Sequence, residues 1–248
     1  MASLWHTIKL VLFYVSCYLL ATCVALYLLF FGRFMPEAKK NIFKHRCISV
    51  IMWLVKVFFS IRISIENPHL LPAEPCVLMA NHQSSLETFF LQLLCEPMSV
   101  VLKKELVESV LLRSALSLAD PVPLDRSKPA QAYRDLLKEG SLRLQKQRCI
   151  LIFPEGTRVK IGEQGKFNRG AASLAHRAQV PLVPVAHNAG LCWPPVVHPQ
   201  HTHIRVRIGA ALDARNLSLD ELYLQSCAWL QENRDALISA AQKNVTPQ

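Results

Sequence analysis

The sequence predicts an α/β domain, with a largely parallel mixed sheet flanked by helices, preceded by an N-terminal membrane helix and an interfacial helix. Three observations carry that expectation. An almost unbroken apolar run occupies residues 8–31, a shorter apolar run with helical spacing follows at 47–59, and from residue 60 short apolar segments alternate with helical ones. The implied division is 1–59 for the membrane-associated helices and 60–248 for the α/β domain.

The run at 8–31 spans about 36 Å at ~1.5 Å per residue, enough to cross a ~30 Å hydrocarbon core or to insert deeply into one leaflet. It is too long for a cleaved signal peptide, and no small-x-small cleavage site follows it cleanly. Arg33, Lys39, Lys40, Lys44 and Arg46 follow the run, against Lys9 and the amino terminus at its start, so the positive-inside rule puts the bulk of the chain in the cytoplasm. At 47–59, Ile48, Ile51, Met52, Val55, Phe58 and Phe59 recur at helical spacing over a stretch too short to span. It reads as a helix lying on the leaflet, with a core helix packed on the domain as the alternative.

Residues 60–66 alternate Ile61, Ile63 and Ile65 with Arg62, Ser64 and Glu66, the pattern of a half-buried strand. Further strands are expected at 76–80, 98–102, 121–124, 149–153, 181–186 and 203–209. Helices are expected at 86–94, 105–118, 129–147, 168–179 and 218–243, the last opened by the capping box Ser218-x-x-Glu221. Such alternation argues for a parallel sheet covered on both sides. Residues 244–248 read as a frayed end.

Composition agrees with a membrane location. The chain is 51% hydrophobic with a net charge of +10 and a mean hydropathy of +0.22, a combination that favours an anionic lipid surface over nucleic acid. The eight cysteines are scattered singly without a C-x-x-C pair, which suits reduced packing residues facing the cytoplasm. His198, His201 and His203 raise a metal site, but they sit in a Pro-rich stretch without H-E-x-x-H, so a solvated loop is the preferred reading and no metal is expected.

The polar segment Asn81-His82-Gln83-Ser84-Ser85-Leu86-Glu87 falls where a buried strand turns into a helix. His82 and Glu87 would lie about 140° apart in a continuous helix, so they meet only if the helix starts between them. Ser84-x-x-Glu87 is a capping box that starts it there. Taken alone, that box favours a plain capping Glu over a catalytic pair. The other chemistry lies downstream. The strand at 149–153 ends in Pro154-Glu155-Gly156-Thr157-Arg158, a turn suited to an oxyanion at the carboxyl end of a strand. Arg126 ends another strand, either as a second phosphate ligand or in a surface ion pair with Asp125. Lys103 and Lys104, and then Lys166 and Arg169, add positive charge at comparable places.

Asn81-His82-x4-Glu87, Lys103-Lys104-Glu105-Leu106, Leu124-Asp125-Arg126-Ser127, Phe153-Pro154-Glu155-Gly156-Thr157-Arg158, Phe167-Asn168-Arg169-Gly170 and Val180-Pro181-Leu182-Val183-Pro184-Val185 stand in the order and spacing of the glycerolipid acyltransferases. The resemblance covers roughly residues 60–210 and is nearest to the bacterial 1-acyl-glycerol-3-phosphate branch. It implies His82 as catalytic base and Glu87 as the acid that orients it, with Glu155, Gly156, Thr157, Arg158 and Arg126 associated with the acceptor's phosphate. Glu87 departs from the family's usual Asp, and the extra methylene changes its reach.

The implied reaction moves a fatty acyl group from acyl-CoA or acyl-carrier protein to lysophosphatidic acid, giving phosphatidic acid. It would run at a bacterial inner membrane with membrane phospholipid as surroundings and no cofactor. Lys104 joins the phosphate-binding set, with Lys103, Lys166 and Arg169 as secondary candidates. No G-x-S-x-G elbow or marked cysteine nucleophile calls for an acyl-enzyme. The rivals are a membrane hydrolase or phosphatase, an acyltransferase for another lyso-lipid, and a non-catalytic anionic-lipid-binding protein.

Overall fold

The computed structural model describes residues 2–163, 165–195 and 201–243. Among the described residues seven strands, numbered in chain order, form one sheet in the order β1-β7-β6-β2-β5-β3-β4, parallel at every pairing except β6 with β7. The strands are β1 Arg62–Glu66, β2 Val77–Ala80, β3 Met98–Lys103, β4 Val122–Leu124, β5 Cys149–Ile152, β6 Leu182–His187 and β7 His203–Ile208. Parallel central strands are buried on both faces, and β2, β5 and β6 are accordingly buried at every residue.

Helices α6 (Pro129–Gln145), α7 (Gly170–Ala178) and α9 (Leu219–Lys243) contribute to the apolar cluster on one face. The other face is closed by α1 (Ala2–Phe31), α2 (Glu37–Phe59) and the segment around α3 (Glu87–Phe90). Phe13 of α1 packs edge-to-face on Phe59 and on Trp193, so the middle of α1 leans on the domain. Its other side is a band of exposed Leu, Val, Tyr and Phe. The stretch Thr7–Phe31, 25 residues, is long and apolar enough to cross a membrane.

Several elements depart from the sequence reading. The interfacial run at 47–59 is the second half of a 23-residue helix, α2, because Glu37-Ala38-Lys39-Lys40 are good helix formers that carry no apolar signal. One stripe of α2, with Ile48, Val55 and Phe59, is buried, and Trp53 and Val57 face outward. The packed stripe bears out the alternative of a helix packed on the domain, and the outward face carries exposed apolar residues. The helix expected at 105–118 is two, α4 (Lys104–Glu108) and α5 (Val110–Ser117), divided where Ser109 turns extended. That at 86–94 is the single turn of α3 followed by a 3-10 turn, Leu91–Leu93. Ile65, expected inward, is 45% exposed because β1 lies at the sheet edge. A short helix, α8 (Ala189–Cys192), was not foreseen. Residues 244–248 and His198 lie outside the described residues. His203 sits on β7 with Nε2 2.8 Å from Ser64 Oγ.

Candidate active site

The parallel register pairs Val77, Leu78 and Met79 of β2 with Ile150, Leu151 and Ile152 of β5. Both chains therefore leave the sheet at the same edge and side by side, His82 after one and Glu155 after the other. Their loops are joined: His82 N–H donates to Glu155 Oε1 at 3.3 Å, and Val159 N–H donates to His82 O at 2.9 Å.

Glu87 begins α3 and turns its carboxylate back over the loop. Oε1 lies 2.9 Å from His82 Nδ1 and accepts from the backbone N–H of Gln83 at 2.7 Å and of Ser84 at 2.6 Å, while Ser84 Oγ–H donates to Oε2. One side chain thus makes both the histidine contact and the bond back to Ser84 N–H, although α3 starts at Glu87 itself with Leu86 as its N-cap and no side-chain cap bond, where the sequence predicts Ser84. Glu87 is fully buried. Burial alone would raise its pKa, but hydrogen bonds from His82 and Ser84 hold it below the ordinary carboxylate range. An ionised carboxylate only accepts, so Nδ1 of His82 carries a proton, and in the neutral imidazole the lone pair is on Nε2. Nε2 has no hydrogen-bond partner among the described residues, and the side chain is 13% exposed.

Two supports escaped the sequence reading. Phe153, the last residue before the Pro154 turn, lies under the imidazole, its ring centroid 4.2 Å away and tilted 19°. Behind it, His187 clamps Asn81. His187 Nε2–H donates to Asn81 O at 2.6 Å, its N–H donates to Asn81 Oδ1 at 2.9 Å, and its Nδ1 accepts from Ala189 N–H at 3.2 Å. Burial lowers the His187 pKa, consistent with this neutral tautomer. Its only sequence signal was position: it ends β6, on the edge where β2 also ends.

Gly156 adopts φ +70, which favours glycine, and its N–H donates to Phe153 O at 3.1 Å. Asn168 clips the same turn through its side chain to Pro154 O. Arg126 Nη1 donates to Gly156 O, and Asp125 binds Ser127 at 2.6 Å, so the expected alternative of an Asp125/Arg126 pair is not formed. Arg126 therefore meets the turn that carries Thr157 and Arg158, both exposed.

The other cations are placed differently. Lys103 pairs with Glu105 at 3.1 Å and Lys104 with Glu108 at 3.4 Å, both exposed. Arg169 is committed to Asp220 and lies over the Tyr223 ring at 4.9 Å, which draws it toward α9. Lys166 is exposed. Glu155 is turned inward. Its Oε2 has no hydrogen-bond partner among the described residues, and burial pushes its pKa up to about 7.

Beside the histidine loop lies an apolar cavity of about 730 Å³, lined by Phe13, Tyr18 and Ala21 of α1, Ile48 of α2, and Ser85 and Leu86. Ser85 is only three residues from His82 and accepts a hydrogen bond from Trp193 Nε1 at 3.1 Å. The chemistry and the greasy chamber thus share one wall.

A buried carboxylate fixing one histidine nitrogen, beside an apolar chamber walled by a long apolar helix, is an arrangement suited to an enzyme that works on lipid. The sequence model of the acyltransferase family matches residues 62–188. A 1-acyl-sn-glycerol-3-phosphate acyltransferase of Pseudomonas aeruginosa is 41% identical over 199 residues, 79% of this chain and 77% of that protein. A human 1-acyl-sn-glycerol-3-phosphate acyltransferase beta is 32% identical over 57% of this chain and 52% of its own length. The crystal structure of the 1-acyl-sn-glycerophosphate acyltransferase PlsC from Thermotoga maritima superposes over 90% of this chain and 95% of that one, with TM-score 0.62 at 16% identity, which speaks for the fold. The chain belongs to the acyltransferase family.

Proposed function

We propose that the chain transfers a fatty acyl group from acyl-CoA or acyl-carrier protein to the free sn-2 hydroxyl of 1-acyl-glycerol-3-phosphate, giving phosphatidic acid. The observation that carries this reading is the free Nε2 of His82, its ring fixed through Nδ1 by Glu87 at 2.9 Å. The similarity to 1-acyl-sn-glycerol-3-phosphate acyltransferases of bacteria and animals points to the acceptor.

An alcohol is a weak nucleophile at neutral pH, so its proton must leave as attack proceeds. His82 Nε2 takes the hydroxyl proton while the oxygen attacks the thioester carbonyl carbon. The tetrahedral intermediate collapses, the carbon–sulfur bond breaks, and the thiolate leaves with the proton returned by the imidazolium. Glu87 stabilises that imidazolium without taking its proton, as a buried carboxylate does in the serine-protease triad. The base contributes about 10²–10⁴ in rate. The thioester already supplies the activated acyl group, so the step calls on no cofactor.

Arg126, Thr157, Arg158 and the backbone at Gly156 hold the acceptor's phosphate, with Lys104 at the rim. Holding it fixes the hydroxyl near Nε2, which is the positioning contribution. Glu155 serves the loop through the His82 N–H and leaves the phosphate to the cations. A fatty chain occupies the apolar cavity. Because the middle of α1 touches Phe59 and Trp193, α1 lies along the domain with its outer face in one leaflet. The catalytic domain faces the cytoplasm at the inner membrane of a bacterium, a side favoured by the attraction of the basic residues after α1 to anionic lipid.

The test is an acyl-transfer assay with lysophosphatidate and each thioester donor, run on wild type and His82→Ala. Phosphatidate made by the wild type and lost in the variant supports the reading. Equal turnover by the two proteins, or thioester hydrolysis with no transfer, overturns it.

A further inference from the structure

At the opposite edge of the sheet, three of the eight cysteines converge. Cys76 directly precedes β2, Cys149 opens β5, and Cys95 lies in the segment entering β3. These strands are neighbours and run parallel, so their starting ends come together although the residues are far apart in sequence. The three Sγ atoms all lie within 4.8 Å of one another, and Cys76 and Cys149 are 3.8 Å apart. All three are free thiols. The expectation of singly scattered cysteines fails here because sequence spacing cannot register strand adjacency.

A metal–sulfur bond of about 2.3 Å sets sulfurs sharing one ion roughly 3.7–4.0 Å apart. The observed separations therefore close on an ion with movement under about 1 Å. Cys76 and Cys149 are buried, and the half-buried Cys95 provides the way in. The surroundings also suit the charge. Three thiolates outweigh a monovalent or divalent ion, and two buried cations stand alongside. Arg148, adjacent to Cys149, donates to Met98 O at 3.1 Å, and Lys44 donates to the same oxygen at 3.2 Å. Met98 is the register partner of Cys149. Lys44 forms no ion pair among the described residues.

We propose that Cys76, Cys95 and Cys149 bind one soft, thiophilic d10 metal ion of the Cu(I) or Zn(II) class. Three thiolates satisfy trigonal Cu(I), whereas Zn(II) takes a fourth ligand from the Cys95 side. The ion ties together the starts of three strands, about 13 Å of strand away from the catalytic edge. Its role is therefore structural. Each bound thiol gives up its proton, so affinity falls as pH falls.

The test uses reduced, metal-stripped full-length protein titrated separately with Cd(II), as a spectroscopic stand-in for Zn(II), and with Cu(I) against a competing chelator. Expected are an ultraviolet thiolate-to-metal charge-transfer band saturating at one ion per chain and a rise in Tm. Cys95→Ser, at the half-buried position, is expected to weaken binding at least tenfold, while Cys192→Ser, outside the cluster, leaves it unchanged. Saturation by Cu(I) alone assigns the trigonal ion; saturation by Cd(II) assigns the zinc class. Failure of both ions to bind at one per chain, or binding that survives Cys95→Ser, overturns the proposal and leaves the acyl-transfer reading untouched.

Discussion

Glu87 Oε1 holds His82 Nδ1 at 2.9 Å with the same oxygen that receives the backbone N–H groups of Gln83 and Ser84. Orientation of the His82 ring and the shape of the loop entering α3 therefore depend on one carboxylate, and substitutions separate the two. Glu87→Gln keeps the length and an accepting oxygen but loses the charge that stabilises the imidazolium. Its kcat is expected to fall about 10²-fold or more, with Tm within a few degrees of wild type. Glu87→Ala orphans buried donors at about 1–3 kcal/mol each, so it is expected to lose stability as well as activity. Steady-state kinetics beside thermal unfolding separate the two effects.

Arg126 and Arg158 should respond differently although both are proposed to hold the phosphate. Arg158 is exposed, so Arg158→Ala is expected to raise KM for lysophosphatidate about tenfold and leave Tm unchanged. Arg126 also anchors the turn through Gly156 O. Arg126→Ala is expected to raise KM similarly, to lower kcat, and to lower Tm by a few degrees. An unchanged KM in both variants, measured with lysophosphatidate varied at saturating donor, removes them from the phosphate site.

Glu155 gives a pH signature. Its folded pKa of about 7 lies above the ordinary carboxylate value, chiefly through burial, with Arg234 pulling it down and Glu87 pushing it up. A raised acid contributes its full stability below the unfolded pKa and loses it as pH rises toward 7. Glu155→Gln is therefore expected to gain stability relative to wild type between about pH 4.5 and 7.5 and to plateau above, by at most roughly 2–3 kcal/mol. Glu87 runs the other way: its depressed pKa contributes above the unfolded value and is lost as pH falls. Urea unfolding across this range, done on wild type and Glu155→Gln, reads the difference directly.

What the sequence revealed follows a physical line. Fully buried strands such as β2 and β5 announce themselves as apolar runs, and the polar turns that end them are bounded by proline and glycine, so the edge bearing His82 and Glu155 was legible. Contacts between strands are not encoded at short range. Phe153 looked like one more core residue, and His187 like the polar end of a strand, until the sheet order set them against His82 and Asn81. Cations misled for a related reason: Arg169 opens a helix as expected, yet Asp220 and Tyr223 on α9 claim it.

The apolar cavity supplies the last prediction. Ala21 lies on its α1 wall, in a cavity that Ser85 and Leu86 of the histidine loop also line, so Ala21→Phe adds a ring where a fatty chain would run. Each methylene denied burial costs about 0.8 kcal/mol, a factor of roughly four. The variant is expected to lose kcat/KM for long chains progressively and to keep it for short ones, in one substrate and not the other. Varying donor length at fixed acceptor, then acceptor length at fixed donor, identifies which chain the cavity holds. A loss that is equal for all lengths of both would mean that Ala21→Phe disturbs the packing of α1 on Phe59 and Trp193, and that no chain reaches this wall.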